Sequence, residues 1–358
     1  VVPSSEVKFT VVCARAAVAD DTSASSSNAA FNGDNDMTWP LSRRARPRKR
    51  RAPRHARLPK PARRIRVAMP PIWSFTTMTA ISGSAAAVTG AASGIGRALA
   101  LELAARGCDL ALADRDEAGL QAVAAEIAKT SPCKVTVHRV DVGEPGEIAG
   151  FAAAATAAHP SLNILVDNAG VALLGQFNEI DQAQMDWLFN INFWGVVHAT
   201  RAFLPHLERR REAHIVNLSS IFGIIAPPGQ SAYAAAKFAV RGFSESLRHE
   251  LAIANSAVRL SVVHPGGVAT GIARNSRTGI GVTDNARRAQ SIERFDALAR
   301  IKPAAAALRI VAGIENNAPR ILIGTDARLM DLLQRFRPAT YWAVLQRRIE
   351  KMTAQVGK

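Results

Sequence analysis

A doubly wound α/β domain with a parallel sheet of about seven strands is predicted for this 358-residue chain by three observations. From Ala85 onward, apolar runs of strand length alternate with helical segments, the order that parallel strands joined by right-handed helical crossovers require. A glycine-rich loop joins the first strand to the first helix, and an acidic residue ends the second strand. In order, AAAVTG reads as a strand and GIGRALALELAARG as a helix; DLALAD and DEAGLQAVAAEIAKT repeat the pair, as do KVTVHRVDV and GEIAGFAAAATAAH. NILVDNAG is a fourth strand and a long helical region follows, from about Asp181 to Arg210. HIVNLSS, AVRLSVVHPG and PRILIG bring the strands to seven, with the Ala-rich helix SAYAAAKFAVRGFSESLRHEL between the fifth and the sixth.

The net charge of +16 suggests a nucleic-acid partner until it is divided along the chain. Residues 1–77 hold 15 of the 45 basic and 5 of the 29 acidic residues, so +10 of the charge lies there. The Pro/Arg-rich stretch from Pro40 to Pro71 repels itself, buries no apolar area and is expected to be disordered. A nucleic-acid-binding arm, a nuclear address and a transit peptide are the functional readings; Asp20, Asp21, Asp34 and Asp36 weaken the last. Because Met78 stands where a compact domain would begin, the favoured expectation is that residues 1–77 are an overextended translation of Arg-rich reading frame. Native peptides upstream of Met78 would overturn it. Cys13, Cys108 and Cys133, odd in number and widely spaced, form neither a disulfide framework nor a metal site, which fits a reducing, cytoplasmic compartment. No apolar run reaches the ~18 residues of a membrane-spanning helix.

The loop Thr89-Gly90-Ala91-Ala92-Ser93-Gly94-Ile95-Gly96 lets the backbone turn tightly and approach a pyrophosphate, whose charge the amides at a helix N-terminus receive. Three glycines also suit a tight packed turn. Position favours the dinucleotide reading, because Asp114 ends the second strand 24 residues after Gly90. Its carboxylate can bind both hydroxyls of an adenosine ribose and repels a 2′-phosphate, so NAD is favoured over NADP; Arg115 beside it argues the other way. A helix N-cap is the structural alternative for Asp114.

Tyr233 and Lys237 are four residues apart in the Ala-rich helix and so share a face. A lysine cation beside a phenol stabilises the phenolate and would lower a pKa that is ordinarily ~10, making Tyr233 a general acid/base. Alone, the pair is better read as an ordinary surface helix and needs support from elsewhere.

Taken together, Thr89 to Gly96, Asp141-Val142, Asn168-Ala169-Gly170, Asn192, Ser220, Tyr233 with Lys237, and Pro265-Gly266 fall in one order. From about Ser84 to Gly324 the chain resembles the short-chain dehydrogenase/reductase family, in the subgroup with TGxxxGxG and YxxxK. The resemblance implies a single Rossmann-type domain and an NAD(P)-dependent oxidoreductase acting on a secondary alcohol or ketone. It implies a catalytic set of Asn192, Ser220, Tyr233 and Lys237, with Ser220 chosen over Ser219 because it lies 13 residues before Tyr233. Lys237 would also bind the nicotinamide ribose, and Asn192, in a distorted helix, would hold a water leading from Lys237 to solvent. Further cofactor contacts implied are Thr89, Gly90, Ser93, Gly94, Ile95 and Gly96 at the pyrophosphate and Asp114 and Arg115 at the adenosine ribose. Asp141 and Val142 would lie at the adenine, Asn168, Ala169 and Gly170 along the floor, and Val268 and Thr270, after Pro265-Gly266, at the carboxamide. No metal is implied, His264 is read as structural, and a homodimer or homotetramer through the helices near Asn192 and Tyr233 is expected. Asp167 departs from the asparagine more frequent before Asn168-Ala169-Gly170, which puts a local hydrogen bond in doubt.

Residues 271–299 form a long Gly-, Asn- and Arg-rich segment read as a substrate lid. Arg274, Arg277, Arg287 and Arg288 would favour an acidic substrate if they face it, although solvated arginines are the commoner case. Phe222, Ile224, Ile225, Pro227, Val171, Leu173 and Leu174 point instead to an apolar alcohol or ketone. Beyond the domain at 78–325, residues 326–358 carry helical apolar spacing on both sides of Pro338 and are expected to pack over the substrate mouth or a second subunit, with membrane-surface binding the lesser reading. Two alternatives to an enzyme are a catalytically silent NAD(P)-binding regulator and nucleic-acid binding through the basic arm.

Overall fold

The computed structural model describes residues 78–347. The basic extension at 1–77 and the end of the chain, with Arg348 and Ile349, lie outside the described residues. Seven strands pair in parallel in the order β3-β2-β1-β4-β6-β7-β9. They are β1 (Ala85–Thr89), β2 (Asp109–Asp114), β3 (Val135–Arg139), β4 (Leu162–Asp167), β6 (Ala213–Leu218), β7 (Val258–Pro265) and β9 (Arg320–Ile323). The order reverses at β1, flanked by β2 and β4, so the carboxyl end of β1 is the switch point where ligands of such sheets bind.

Alternation along the strands sets the two faces. Ala86, Val88, Leu110, Leu112, Ile164 and Val166 meet helices α1 (Gly94–Ala105), α2 (Glu117–Ala128) and α8 (Pro303–Glu315). Ala85, Ala87, Ala111 and Ala113 face the other way, toward α3 (Pro145–Ala158) and α5 (Gly195–Leu207). Those alanines leave room for large rings: Phe151 and Phe203 pack edge to face at 5.4 Å over them. Each ring so buried contributes about 2–3 kcal/mol.

The long helical region is three elements. Helix α4 (Gln182–Phe189) runs through a π-helical turn at Asn190–Trp194 into α5. Helix α6 (Ser231–Ile253) carries Tyr233 and Lys237 on its buried face. The sequence reading left α8 unassigned. It also took 271–299 as an irregular lid, whereas this segment holds a strand, β8 (Arg277–Thr278), paired in parallel with β5 (Leu173–Leu174), and helix α7 (Asn285–Leu298), none of whose residues is buried. Helix α9 (Thr325–Phe336) and a helical stretch at 341–347 follow β9. Among the described residues no helix is long and apolar enough to cross a membrane.

Candidate active site

The loop after β1 turns through Gly90 at φ +66° and Gly94 at φ +56°, a region costly to any residue with a Cβ. At Gly96 a Cβ would stand 2.0 Å from the Gly90 carbonyl oxygen. These glycines bring the loop down onto the end of β4. Thr89 and Asn168 lock the two together: Thr89 Oγ1 accepts the amides of Asn168 (3.0 Å) and Ala169 (3.1 Å), and Asn168 Nδ2 donates to the carbonyls of Thr89 (2.9 Å) and Gly90 (3.0 Å). Thr89 and Asn168 therefore shape the floor through each other. Helix α1 starts at Gly94 with no side chain capping it and no acidic residue in its first turn. Its positive end thus fits a pyrophosphate.

Asp114, at the end of β2, does not cap the next helix. That is done by Asp116, which accepts from the Gly119 amide at 3.0 Å. Asp114 Oδ2 accepts the Ala92 amide at 3.0 Å and Oδ1 that of Asp116 at 3.1 Å, holding the carboxylate against the glycine loop with Arg115 exposed beside it. Asp141 braces the turn after β3 by accepting the Gly143 amide at 2.8 Å, and Val142 is buried beside it.

At the other end of the floor the catalytic candidates converge. Asn192 is wholly buried in the π-turn, its Oδ1 accepting from Val171 N–H at 2.8 Å and its Nδ2 donating to the Val171 carbonyl at 2.9 Å. Lys237 Nζ donates to the Leu218 carbonyl at 3.0 Å and stands 5.8 Å from the centroid of the Tyr233 ring. A Cβ on Gly170 would meet Asn192 Oδ1 at 3.2 Å and Lys237 Nζ at 3.4 Å, so this glycine opens the space between them. Ser220 and Tyr233 are each 9% exposed, enough for a hydroxyl to reach a ligand.

Burial governs the ionisation. It pushes the Tyr233 phenol up to about 12, opposed by a hydrogen bond from Ser220, and pushes Lys237 down to about 8. The expected lowering of Tyr233 by Lys237 is thus outweighed here, since desolvation disfavours each ion and the ammonium is directed at a backbone carbonyl. Tyr233 consequently keeps its phenolic proton at pH 7.

Two residues outside the candidate catalytic set, His264, read from the sequence as structural, and Ser219, hold Ser220 and α6 in place. His264 is fully buried and its Nδ1–H donates to the Ser220 carbonyl at 2.9 Å. Ser219 Oγ donates to the Lys237 carbonyl at 2.8 Å, pinning the turn of α6 that carries the pair. Both link strand ends through contacts 18 or more residues apart, which no local pattern reveals.

Asp167 is buried to 2% exposure, with Oδ2 accepting from Thr200 Oγ1 at 3.2 Å and Oδ1 lacking a partner. Burial raises its pKa well above the usual carboxylate value, against a lowering hydrogen bond from Thr200. It pairs in register with Asn217, whose Oδ1 is likewise unpartnered. A raised folded-state pKa gives stability that is present below the unfolded value of ~3.9 and lost as pH rises. Asp167→Asn, which keeps the shape without the titration, is therefore expected to raise stability at pH 7 by about 1–3 kcal/mol. The gap should narrow toward pH 4; equal melting temperatures at pH 7 would show that the second oxygen is satisfied.

The side chains packed around Tyr233 are apolar. Leu173, Leu188, Ala232 and Ala236 pack with it, flanked by Val171, Ile180, Met185, Phe222 and Ile272, and Phe222 meets the Tyr233 ring edge to face at 6.1 Å. Of the expected lining, Ile224, Ile225 and Leu173 are buried in packing, while Phe222, Val171, Leu174 and Pro227 are half-buried. The lid arginines are engaged with protein: Arg277 lies 3.8 Å from the Trp187 ring centroid, Arg287 pairs with Glu179, Arg274 with Asp296 at 2.8 Å, and Arg288 donates to the Arg274 carbonyl. Tyr341, beyond Pro338, accepts the Ala226 amide at 2.9 Å and so fixes the C-terminal helical stretch to the segment before α6.

Comparison with known proteins agrees with this geometry. A Mycobacterium tuberculosis protein named as an oxidoreductase, SadH, is 41% identical over 265 residues, 74% of this chain and 94% of that protein. Human estradiol 17-beta-dehydrogenase 11 is 30% identical over 279 residues, 77% and 87% of the two chains. A short-chain dehydrogenase/reductase from Burkholderia phymatum, solved in complex with NAD, superposes with a TM-score of 0.66 at 29% identity over 73% of this chain and 95% of that one. A metagenomic short-chain oxidoreductase in complex with NADP gives 0.55 at 29% identity, over 68% and 98%. The short chain dehydrogenase family profile matches residues 84–281, and with these relatives it shows that the chain belongs to that family.

Proposed function

We propose that this protein is an NAD(P)-dependent oxidoreductase that interconverts an apolar secondary alcohol and its ketone, with Tyr233 as general acid/base. The observation that carries the reading is the convergence of Asn192, Ser220, Tyr233 and Lys237 at one end of a floor whose other end is an uncapped, glycine-lined helix start. When bound, the nicotinamide supplies or accepts the hydride. The Ser220 hydroxyl donates to the substrate oxygen and stabilises its developing charge. In reduction Tyr233 passes its proton to that oxygen; in oxidation, as phenolate, it takes the proton from the alcohol. Lys237 supplies positive charge beside the phenolate and reaches the ribose, and Asn192 holds the floor open toward solvent.

In this reading Thr89, Gly90, Ser93, Gly94, Ile95 and Gly96 belong to the pyrophosphate end, and Asp114 and Arg115 to the ribose. Asp141 and Val142 belong to the adenine, and Asn168, Ala169, Gly170, Pro265, Gly266, Val268 and Thr270 to the remaining wall. Asp114 supports NAD, since its carboxylate, held at the end of β2 against the glycine loop, would repel a 2′-phosphate. Asp114→Ala is expected to bring the kcat/KM values for NADH and NADPH closer together, by about tenfold for one charge repulsion removed. An unchanged ratio would withdraw the basis for preferring NAD. The apolar packing around Tyr233 supports an apolar substrate.

Trp194, at the end of the π-turn that leads into α5, and Phe238 on α6, 46% and 37% exposed, support a homodimer or homotetramer through α5 and α6. Cys108 and Cys133 are free, in keeping with a cytoplasmic setting. The experiment is oxidation of NADH and NADPH with a panel of apolar ketones and quinones. Turnover with either cofactor supports the reductase; binding without turnover, also with the matching alcohols, would move the assignment to a silent regulator.

A further inference from the structure

The loop that follows β7 runs through Pro265, Gly266, Gly267, Val268, Ala269 and Thr270, and it is held on both sides by elements outside the catalytic set. On one side Asp326, in the first turn of α9, accepts the Gly267 amide through Oδ2 at 2.7 Å. Its carboxylate fills the space that two glycines leave. A Cβ on Gly266 would stand 2.1 Å from Oδ2 and 2.3 Å from Oδ1, and one on Gly324 would stand 2.1 Å from Oδ1. Neither position could carry a side chain while the carboxylate stays. On the other side the Ile301 amide donates to the Gly267 carbonyl at 3.1 Å, and the Ala269 amide to the Ile301 carbonyl at 2.8 Å. A Cβ on Gly267 would lie 2.5 Å from the Leu298 carbonyl oxygen. The far end of the loop reaches the glycine loop, where Thr270 Cγ2 is 3.3 Å from the position a Gly94 Cβ would take.

We propose that Asp326 is a positioning residue for the nicotinamide half of the cofactor site: its carboxylate fixes the Gly267 amide and thereby sets Val268 and Thr270. The inference rests on the cofactor reading given above. It is separable from a general effect on the fold because the adenosine half hangs on β2 and β3, through Asp114, Asp141 and Val142, with no contact to α9 in the hydrogen bonds that hold them.

The test compares binding of NADH with binding of ADP-ribose, which lacks the nicotinamide, by fluorescence and calorimetry on the full chain, together with melting of the cofactor-free protein. Asp326→Ala is expected to weaken NADH about tenfold to a hundredfold, the size of a lost hydrogen bond to a charged group, and to leave ADP-ribose within about twofold. Asp326→Asn, which keeps an oxygen acceptor, should recover most of the loss. Gly266→Ala, which places a methyl group where the carboxylate lies, should reproduce the pattern from the other side and serves if Asp326→Ala does not fold. Equal weakening of both ligands, or a lower melting temperature with both affinities unchanged, would overturn the proposal by reducing Asp326 to an acidic residue that stabilises a helix start. If the wild-type protein binds neither ligand, the cofactor reading fails and this assignment fails with it. If it binds both and reduces no ketone, only the reaction fails, and the variant comparison still decides the role of Asp326.

Discussion

Tyr233→Phe is expected to lower turnover by about 10²- to 10⁴-fold, the range supplied by one positioned proton donor, while the affinity for nicotinamide cofactor stays within a few-fold of wild type. The separation follows from what the residue touches. Its ring belongs to the apolar cluster and lies edge to face against Phe222, contacts that phenylalanine keeps, so the substitution leaves the packing and removes only the hydroxyl. That hydroxyl is the group Ser220 addresses, and burial holds it protonated at neutral pH. The variant should therefore melt close to the wild-type temperature, bind cofactor and fail at chemistry. Stopped-flow measurement of the hydride-transfer step separates this from slowed product release. Turnover retained at the wild-type rate would end the proton-transfer role of Tyr233.

The parts of this molecule that a sequence can display are those whose partners are close along the chain. Tyr233 and Lys237 share a helix face because of a spacing of four, and the glycines of the first loop announce positive φ values that only glycine adopts cheaply. The parallel sheet covered by helices was implied by the alternation of elements, whereas the order of its strands was not. The lid was only partly legible, because its regular structure depends on pairing across more than a hundred residues between Leu173–Leu174 and Arg277–Thr278. Its arginines illustrate the limit: read alone, Arg277 and Arg287 could face a substrate or water, yet Trp187 and Glu179, distant in sequence, take them up. His264 looked structural next to a proline, and its contact is with the backbone of Ser220, the proposed catalytic serine. Asp326 gave no local signal beyond two glycines in the loop that it meets 59 residues earlier. The ionisation of the site was likewise hidden, since a helix-face argument supplies the attraction between Tyr233 and Lys237 and cannot supply the desolvation that opposes it.

That desolvation leads to an expected result in which activity and stability move in opposite directions. Burial lowers Lys237 to about 8, below its ordinary 10.5, and raises Tyr233 to about 12, above its ordinary 10.0. Across pH 8 to 10 the unfolded chain holds the lysine proton that the folded chain has released, so stability rises with pH in this window, by at most about 3 kcal/mol. The tyrosine adds nothing there, because both states keep its proton below pH 10; above that the folded state holds the extra proton and stability falls again. Reductive turnover should run the other way. As Tyr233 gives up its proton, the phenolate needs the Lys237 cation beside it, and the cationic fraction falls tenfold per unit above about 8. The kcat of ketone reduction is accordingly expected to be level below pH 8 and to decline above it, while the denaturation midpoint of the cofactor-free protein increases. Lys237→Met should remove both dependences, giving an enzyme with about 10²- to 10³-fold lower turnover and no stability gain between pH 8 and 10. A decline in kcat that persists in Lys237→Met would place the titrating group elsewhere, and a stability curve that falls through pH 8 would contradict a lysine buried at a cost.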